Sequence, residues 1–230
     1  MPTTVNNLQV LHEDNHVILV NKRPSDIVQG DKTGDMPLSE IVKLWLKKKY
    51  DKPGNVFLGV VHRIDRPVSG VVLFAKTSKA LSRLSEAFRT KKIGKTYLAA
   101  VVSMPGDEAG TLSDYLHRDH KKNKSRVVRG GSKGKLSKLK YNLIGKSNNY
   151  FFLKVKPETG RHHQIRVQLS AMGCPIKGDI KYGAPRTNKD ASIHLHAYQL
   201  EFTHPVSGEN LSVKAPVPDD PVWNAVKSIV

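Results

Sequence analysis

A charged nine-residue stretch, His62-Arg63-Ile64-Asp65-Arg66-Pro67-Val68-Ser69-Gly70, is set between two apolar runs. Val56-Phe57-Leu58-Gly59-Val60-Val61 leads in, and Val71-Val72-Leu73-Phe74-Ala75 leads out. Short apolar runs bounded by turn formers predict two buried strands joined by a tight connection, so the charges of the connection sit beside a core. Pro67 fixes its own φ and biases Arg66 toward an extended backbone, while Gly70 can supply a turn conformation closed to other residues. The loop is therefore expected to be stiff and able to aim Asp65. Arg63 and Arg66 flank that carboxylate, favour its ionised form and offer donors for phosphate. Asp also initiates turns for purely local reasons, and from this stretch alone a turn residue is the simpler account.

Charge is the informative part of the composition. Across 230 residues, 38 Lys and Arg against 20 Asp and Glu give a net charge of +18, which points to a polyanionic partner. Nucleic acid or an anionic membrane surface would both serve. No apolar run approaches the ~20 residues of a membrane span, and Met1-Pro2-Thr3-Thr4-Val5-Asn6-Asn7 has neither the basic start nor the apolar core of an export signal. The single cysteine, Cys174, excludes an internal disulfide framework; it is expected to be a packed residue in a protein of the reducing cytoplasm.

Along the chain, Val17 to Val20 predicts a short buried strand ending at Asn21-Lys22-Arg23-Pro24, followed by a polar loop from Ser25 to Asp35. Leu38, Ile41, Val42 and Trp45 recur at helical spacing ahead of a basic Lys47-Lys48-Lys49 tail. Thr77 or Ser78 can cap a second helix, with a stripe of Ala80, Leu81, Leu84 and Phe88 and an end near Gly94. Lys95 to Val102 predicts a strand that places Tyr97, Ala99 and Val101 on one face. From Arg118 to Lys140 there are ten basic residues, including Lys121, Lys122, Lys124 and Arg126, against one acid, Asp119. Glycines 130, 131 and 134 interrupt that segment, so a mobile loop or hairpin in contact with a polyanion is expected there. Gly134-Lys135 is no phosphate-cradling nucleotide loop, because Arg129 and Leu136 stand where Gly and Ser or Thr are required.

Tyr150 to Val155 predicts another strand. Pro157-Glu158-Thr159-Gly160 then turns the chain into a short helix expected to begin near Thr159, with Ile165, Leu169 and Met172 on one face. Its positive end, with Arg161, His162 and Arg166 around it, would suit a phosphate. His162-His163, and His194 with His196, lack the spacing of a zinc site, so no metal is expected, and the latter pair reads as packed strand residues. Pro216 to Pro221 reads as a stiff stop before a tail, 217–230, that packs as a helical turn or two. No repeat or interdomain linker is visible, so residues 1–230 are expected to form a single domain with a short extension at 1–10.

In this order and spacing, the His62-Arg63-Ile64-Asp65 loop, Val17-Ile18-Leu19-Val20-Asn21-Lys22, Lys95-Thr96-Tyr97-Leu98-Ala99, Gly160-Arg161-His162-His163-Gln164-Ile165-Arg166 and Pro175-Ile176-Lys177-Gly178-Asp179 resemble the RluA family of RNA pseudouridine synthases. The resemblance spans about Leu11 to Pro216 and departs from the family's usual pattern at Ile64 and Val68. It implies an α+β fold, with a bent, mixed, mostly antiparallel sheet, flanking helices and a central basic cleft. The form lacking the N-terminal S4-like RNA-binding domain is expected, since about ten residues precede the matching region. The implied activity is cofactor-free and metal-free isomerisation of uridine to pseudouridine in structured ribosomal or transfer RNA, by a cytoplasmic monomer. By motif position, Asp65 is the catalytic carboxylate, Tyr97 the ring packed on uracil and a proton acceptor, and Arg166 the cation paired with Asp65. His62, Arg63, Arg66, Arg161, His162, Lys121, Lys122, Lys124 and Arg126 are the expected RNA contacts, with Arg63 filling the gap left by a flipped base.

A catalytically silent RNA-binding protein would explain the charge without needing Asp65, Tyr97 and Arg166 together. A metal-dependent nuclease would need clustered carboxylates that the sequence does not show.

Overall fold

The computed structural model describes residues 2–31, 33–227 and 229. Met1, Lys32, Ser228 and Val230, which fall in the expected extension, polar loop and tail, lie outside the described residues. The chain divides into two compact units, Met1–Lys95 with Ala197–Val217, and Thr96–His196 with Pro218–Val230.

In the first unit, β1 (Val10–Glu13), β2 (Val17–Lys22), β4 (Ser69–Ala75) and β10 (Leu195–Thr203) are neighbours in that order. β3 (Gly59–Val60) adds to β4, and β11 (Asn210–Lys214) adds to β10. The pairings β1–β2, β2–β4, β3–β4 and β10–β11 are antiparallel. Val17 to Val20 and the whole of β4 are buried, which is why both read as unbroken apolar runs and not as alternation. The incoming strand predicted at Val56 to Val61 is reduced to the two residues of β3.

Helix α1 (Leu38–Lys49) buries Leu38, Ile41, Val42 and Leu46, each contributing about 1.5–3 kcal/mol if fully withdrawn from water. Its first N–H groups go to the carbonyls of Ile27 and Val28, at 2.7 and 3.2 Å, and its basic last turn suits the negative end of the helix. Trp45 is half-buried beneath the ammonium of Lys49, 4.9 Å from the ring centroid. Helix α2 (Ser78–Arg89) is capped by Thr77, whose hydroxyl accepts from Ala80 N–H at 3.2 Å. It stops five residues before the expected Gly94, through Lys91 at φ 59°, and Gly94 already belongs to the next strand.

The second unit is an antiparallel array in the order β5 (Gly94–Val101), β9 (Phe151–Pro157), β8 (Lys135–Lys146), β6 (Ala109–Asp119) and β7 (Lys124–Val128). The glycine-broken basic segment is thus built of strands. Helix α3 (Gln164–Ala171) covers one face of them, through a buried cluster of Leu116, Val167 and Tyr182. The tail forms α4 (Pro221–Asn224), where Asp220 accepts from the N–H groups of Val222 and Trp223. Trp223 is buried, with its ring centroid 5.3 and 5.9 Å from those of His194 and His196; of that expected strand pair, His196 lies in β10, while His194 lies just ahead of it, within hydrogen-bonding distance of Asn188 and Asp220. Cys174 is buried too.

Candidate active site

Asp65 opens a turn in which its own carbonyl accepts from Val68 N–H at 3.0 Å, and its side chain is half-exposed. The turn is fastened from below. Lys22, one of the largest fully buried side chains among the described residues, donates from Nζ to the carbonyls of Arg23, Asp26 and Arg66 at 2.9, 2.8 and 3.0 Å. The Arg66 carbonyl also accepts from Ser25 N–H at 3.0 Å, so the residue after Asp65 is tied to the end of β2 and to the loop beyond it. Burial pushes the Lys22 ammonium down to about 7, against the opposing pull of Asp26 and Asp65.

Gly70 is required for close approach, not for a turn. It lies in β4 at φ 119°, and a Cβ there would stand 2.2 Å from the Ala197 carbonyl oxygen of β10. Beyond Pro67, the turn is tied by a buried cation, Lys22, to which the sequence alone assigns no role. Lys22 closes a strand whose first four residues, Val17 to Val20, are all buried, and that is the available signal.

His62, expected at RNA, turns inward. Its Nε2 accepts from Leu73 N–H at 3.0 Å and its ring stacks on Phe88 at 4.7 Å. Burial, with a smaller effect from Lys95, holds its pKa near 3, so the neutral ring offers a phosphate no charge. Arg63 and Arg66 are both exposed, and Arg66 pairs with Asp35 at 2.7 Å.

In the second unit, Tyr97 is half-buried on β5, opposite Val155 of β9, which in turn is opposite Tyr141 of β8. Arg166 is 5% exposed, and its guanidinium grips Asp179 twice, from Nε at 2.7 Å and Nη2 at 2.9 Å. The same guanidinium lies 5.1 Å from the centroid of the Tyr182 ring. Tyr182 Oη accepts from Ser125 N–H and lies 2.8 Å from His163 Nδ1. Asp179 and Tyr182 were not foreseen as partners of Arg166; Asp179 was visible only as the end of a quoted motif.

The helix carrying Arg166 begins at Gln164, later than the expected Thr159. The Gln164 side chain explains the difference: its Oε1 accepts from the Thr159 hydroxyl at 2.7 Å and from Arg161 N–H at 3.0 Å, so residues 159–163 form the cap. Arg161 is exposed. His162 is stacked on His163 at 3.7 Å and lies within hydrogen-bonding distance of Ser125 and Asn123.

Lys121 and Lys122 are exposed at the turn between β6 and β7. Lys124 brings its ammonium to 5.3 Å from the Tyr182 ring centroid, on the side of α3. Arg126, paired with His117 across the strands, is exposed and alternates with buried Ser125, so its position in β7 is on the same strand face as that of Lys124.

The model of the RNA pseudouridylate synthase family matches residues 16–171. The ribosomal large subunit pseudouridine synthase C of Buchnera aphidicola subsp. Acyrthosiphon pisum is 35% identical over 221 residues, covering 92% of this chain and 68% of that protein. Its namesake from Escherichia coli strain K12 is 32% identical over 216 residues, covering 90% and 66%. The chain therefore spans about two thirds of the length of these curated relatives. Among solved structures, human RNA pseudouridylate synthase domain containing 4 superposes with a TM-score of 0.79 at 24% identity, over 94% of this chain and 90% of that one, a likeness of fold.

Proposed function

Since the chain belongs to the RNA pseudouridylate synthase family, we propose that it isomerises uridine to pseudouridine in ribosomal RNA of the large subunit, in the cytoplasm. The family match over residues 16–171 carries this reading, because Asp65, Tyr97 and Arg166 all fall within it. The whole chain, residues 1–230, is the proposed catalytic domain.

The target uridine leaves its stack at a cost of about a few kcal/mol, with Arg63 entering the gap. The bond between N1 of uracil and the sugar breaks, the base turns over, and C5 bonds to the same sugar carbon. The proton on C5 is lost and N1 regains one, so nothing is added or removed overall. By motif position, Asp65 supplies the anion for this exchange, Tyr97 the ring against uracil and acceptor of the C5 proton, and Arg166 the cation that keeps Asp65 ionised in a desolvated pocket. A loop tied through its backbone, as the Asp65 turn is through the Arg66 carbonyl, suits that task.

Mapping pseudouridines in large-subunit RNA from cells with and without this protein tests the substrate. With purified protein, conversion without strand scission in a chelator separates the synthase from a nuclease. Asp65→Asn should fold and bind RNA yet form no pseudouridine, because an amide keeps the shape without the charge. Turnover near that of the parent would overturn the assignment.

A further inference from the structure

Alternation along the strands sorts the second unit's side chains onto two faces. Ser137, Leu139 and Tyr141 of β8 and Val155 of β9 are buried, and the register puts Tyr97 of β5 in the same set. Helix α3 lies on this side, where Gln168 Nε2 donates to Asp114 Oδ2 at 2.7 Å and to the Ser137 carbonyl at 3.2 Å. The residues between them point the other way. Lys138, Lys140 and Lys156 are exposed, and Lys154 is half-exposed. Lys138 stands opposite Ser113 of β6, while Lys140 stands between Thr111 of β6 and Lys156 of β9.

We propose that this exposed face of β6, β8 and β9 is a docking surface for the phosphate backbone of a structured part of the substrate RNA, away from the uridine that reacts. The proposal rests on the RNA substrate inferred above. Lys140 and Lys156 are direct cross-strand neighbours, an arrangement of like charges that costs stability in an isolated sheet and is relieved by a bound anion. Among the described residues, the acidic side chain in contact with this row is Glu158, 3.5 Å from Lys140. Both partners are largely exposed, so the pair contributes little.

Steps of about 4.8 Å between strands and about 6.8 Å between alternate residues space the ammonium groups so that one backbone meets several of them. Ser113 and Thr111 stand beside the lysines as hydroxyl donors for phosphate, and the exposed pair Tyr115 and Leu136 continues the same face. Of the expected contacts, Arg126 shares this face through His117, while Lys121 and Lys122 lie at the hairpin end.

The test uses the full chain with Lys138→Ser, Lys140→Ser and Lys156→Ser combined, and a second variant with Arg at the same three positions. Binding of a structured large-subunit RNA transcript is followed as a function of salt. Each lost phosphate contact flattens log affinity against log salt by up to ~0.9, so the Ser variant should be flatter by about two, and the Arg variant should match the parent. The maximum rate at saturating RNA should be unchanged in both. An unchanged slope in the folded Ser variant overturns the proposal, as does a variant that loses only its binding to anionic phosphatidylserine vesicles. If parent and variants all fail to form pseudouridine while the slope still falls, the activity is refuted and the docking surface stands.

Discussion

The Asp65 turn and the Arg166 helix are secured by opposite charges applied to opposite parts of the chain. In the first unit a buried cation, Lys22, grips backbone carbonyls, and so fixes the path of the turn whatever side chains it carries. In the second a buried anion, Asp179, grips one guanidinium twice, and so fixes the aim of a single side chain. A backbone grip distributes its effect over a loop, while a side-chain grip concentrates it on one group. The two should therefore fail differently.

The largest effect is expected at Asp179. Asp179→Ala removes the carboxylate that grips the buried Arg166 guanidinium twice, and should lower stability by about 3–5 kcal/mol, read as the midpoint of denaturant unfolding. Adding Arg166→Met removes the buried charge that Asp179 no longer grips and should recover part of that loss without restoring activity. An Asp179→Ala midpoint equal to the parent's would show that the pair holds nothing.

Lys22→Met should cost less, on the order of 1–3 kcal/mol, because the Arg66 carbonyl keeps its bond from Ser25 N–H. Its signature is in kcat, which should fall with little change in RNA affinity as Asp65 loses its fixed position; equal kcat would confine Lys22 to stability. The pH dependence has a definite sign. The folded pKa, about 7, lies below the ordinary 10.5, so the unfolded chain binds more protons between those values. The parent should gain stability as pH rises through that window, and the Met variant should lack the gain.

The smallest effect at neutral pH belongs to His62→Gln, whose amide oxygen can still accept from Leu73 N–H. With a folded pKa near 3 against an ordinary 6.5, the parent's His62 is neutral in the fold while the unfolded chain takes up a proton. Stability should decline as pH falls from about 6.5 toward 3, and decline less steeply in the Gln variant. Parallel acid profiles would place the titration elsewhere.

Periodicity made much of this architecture legible. Leu38, Ile41 and Val42 mark α1, Ala80 and Leu84 mark α2, and the unbroken Val17 to Val20 marks a strand buried on both faces. Of the loop or hairpin expected for the basic segment, the hairpin is present as β6 and β7, while the glycines and charge hide the alternation that continues it into β8. Ser137, Leu139 and Tyr141 are buried in turn, with Lys138 and Lys140 between them. The start of α3 was set too early because a Gln capping from inside the helix looks in sequence like one more helical residue. Asp65, Tyr97 and Arg166 were legible only through their motifs. Lys22 and Asp179 hold backbone and side chain from far along the chain, and no local pattern encodes a bond between Lys22 and Arg66.

The chain's two tryptophans are divided evenly: Trp45 is half-buried in the first unit, and Trp223 is sealed in the second against two histidine rings. Each unit thus contains its own fluorophore, one in partial contact with water and the other in a dry pocket. Their emission should differ in wavelength, and loss of structure in either unit can be followed by its own colour without adding a dye.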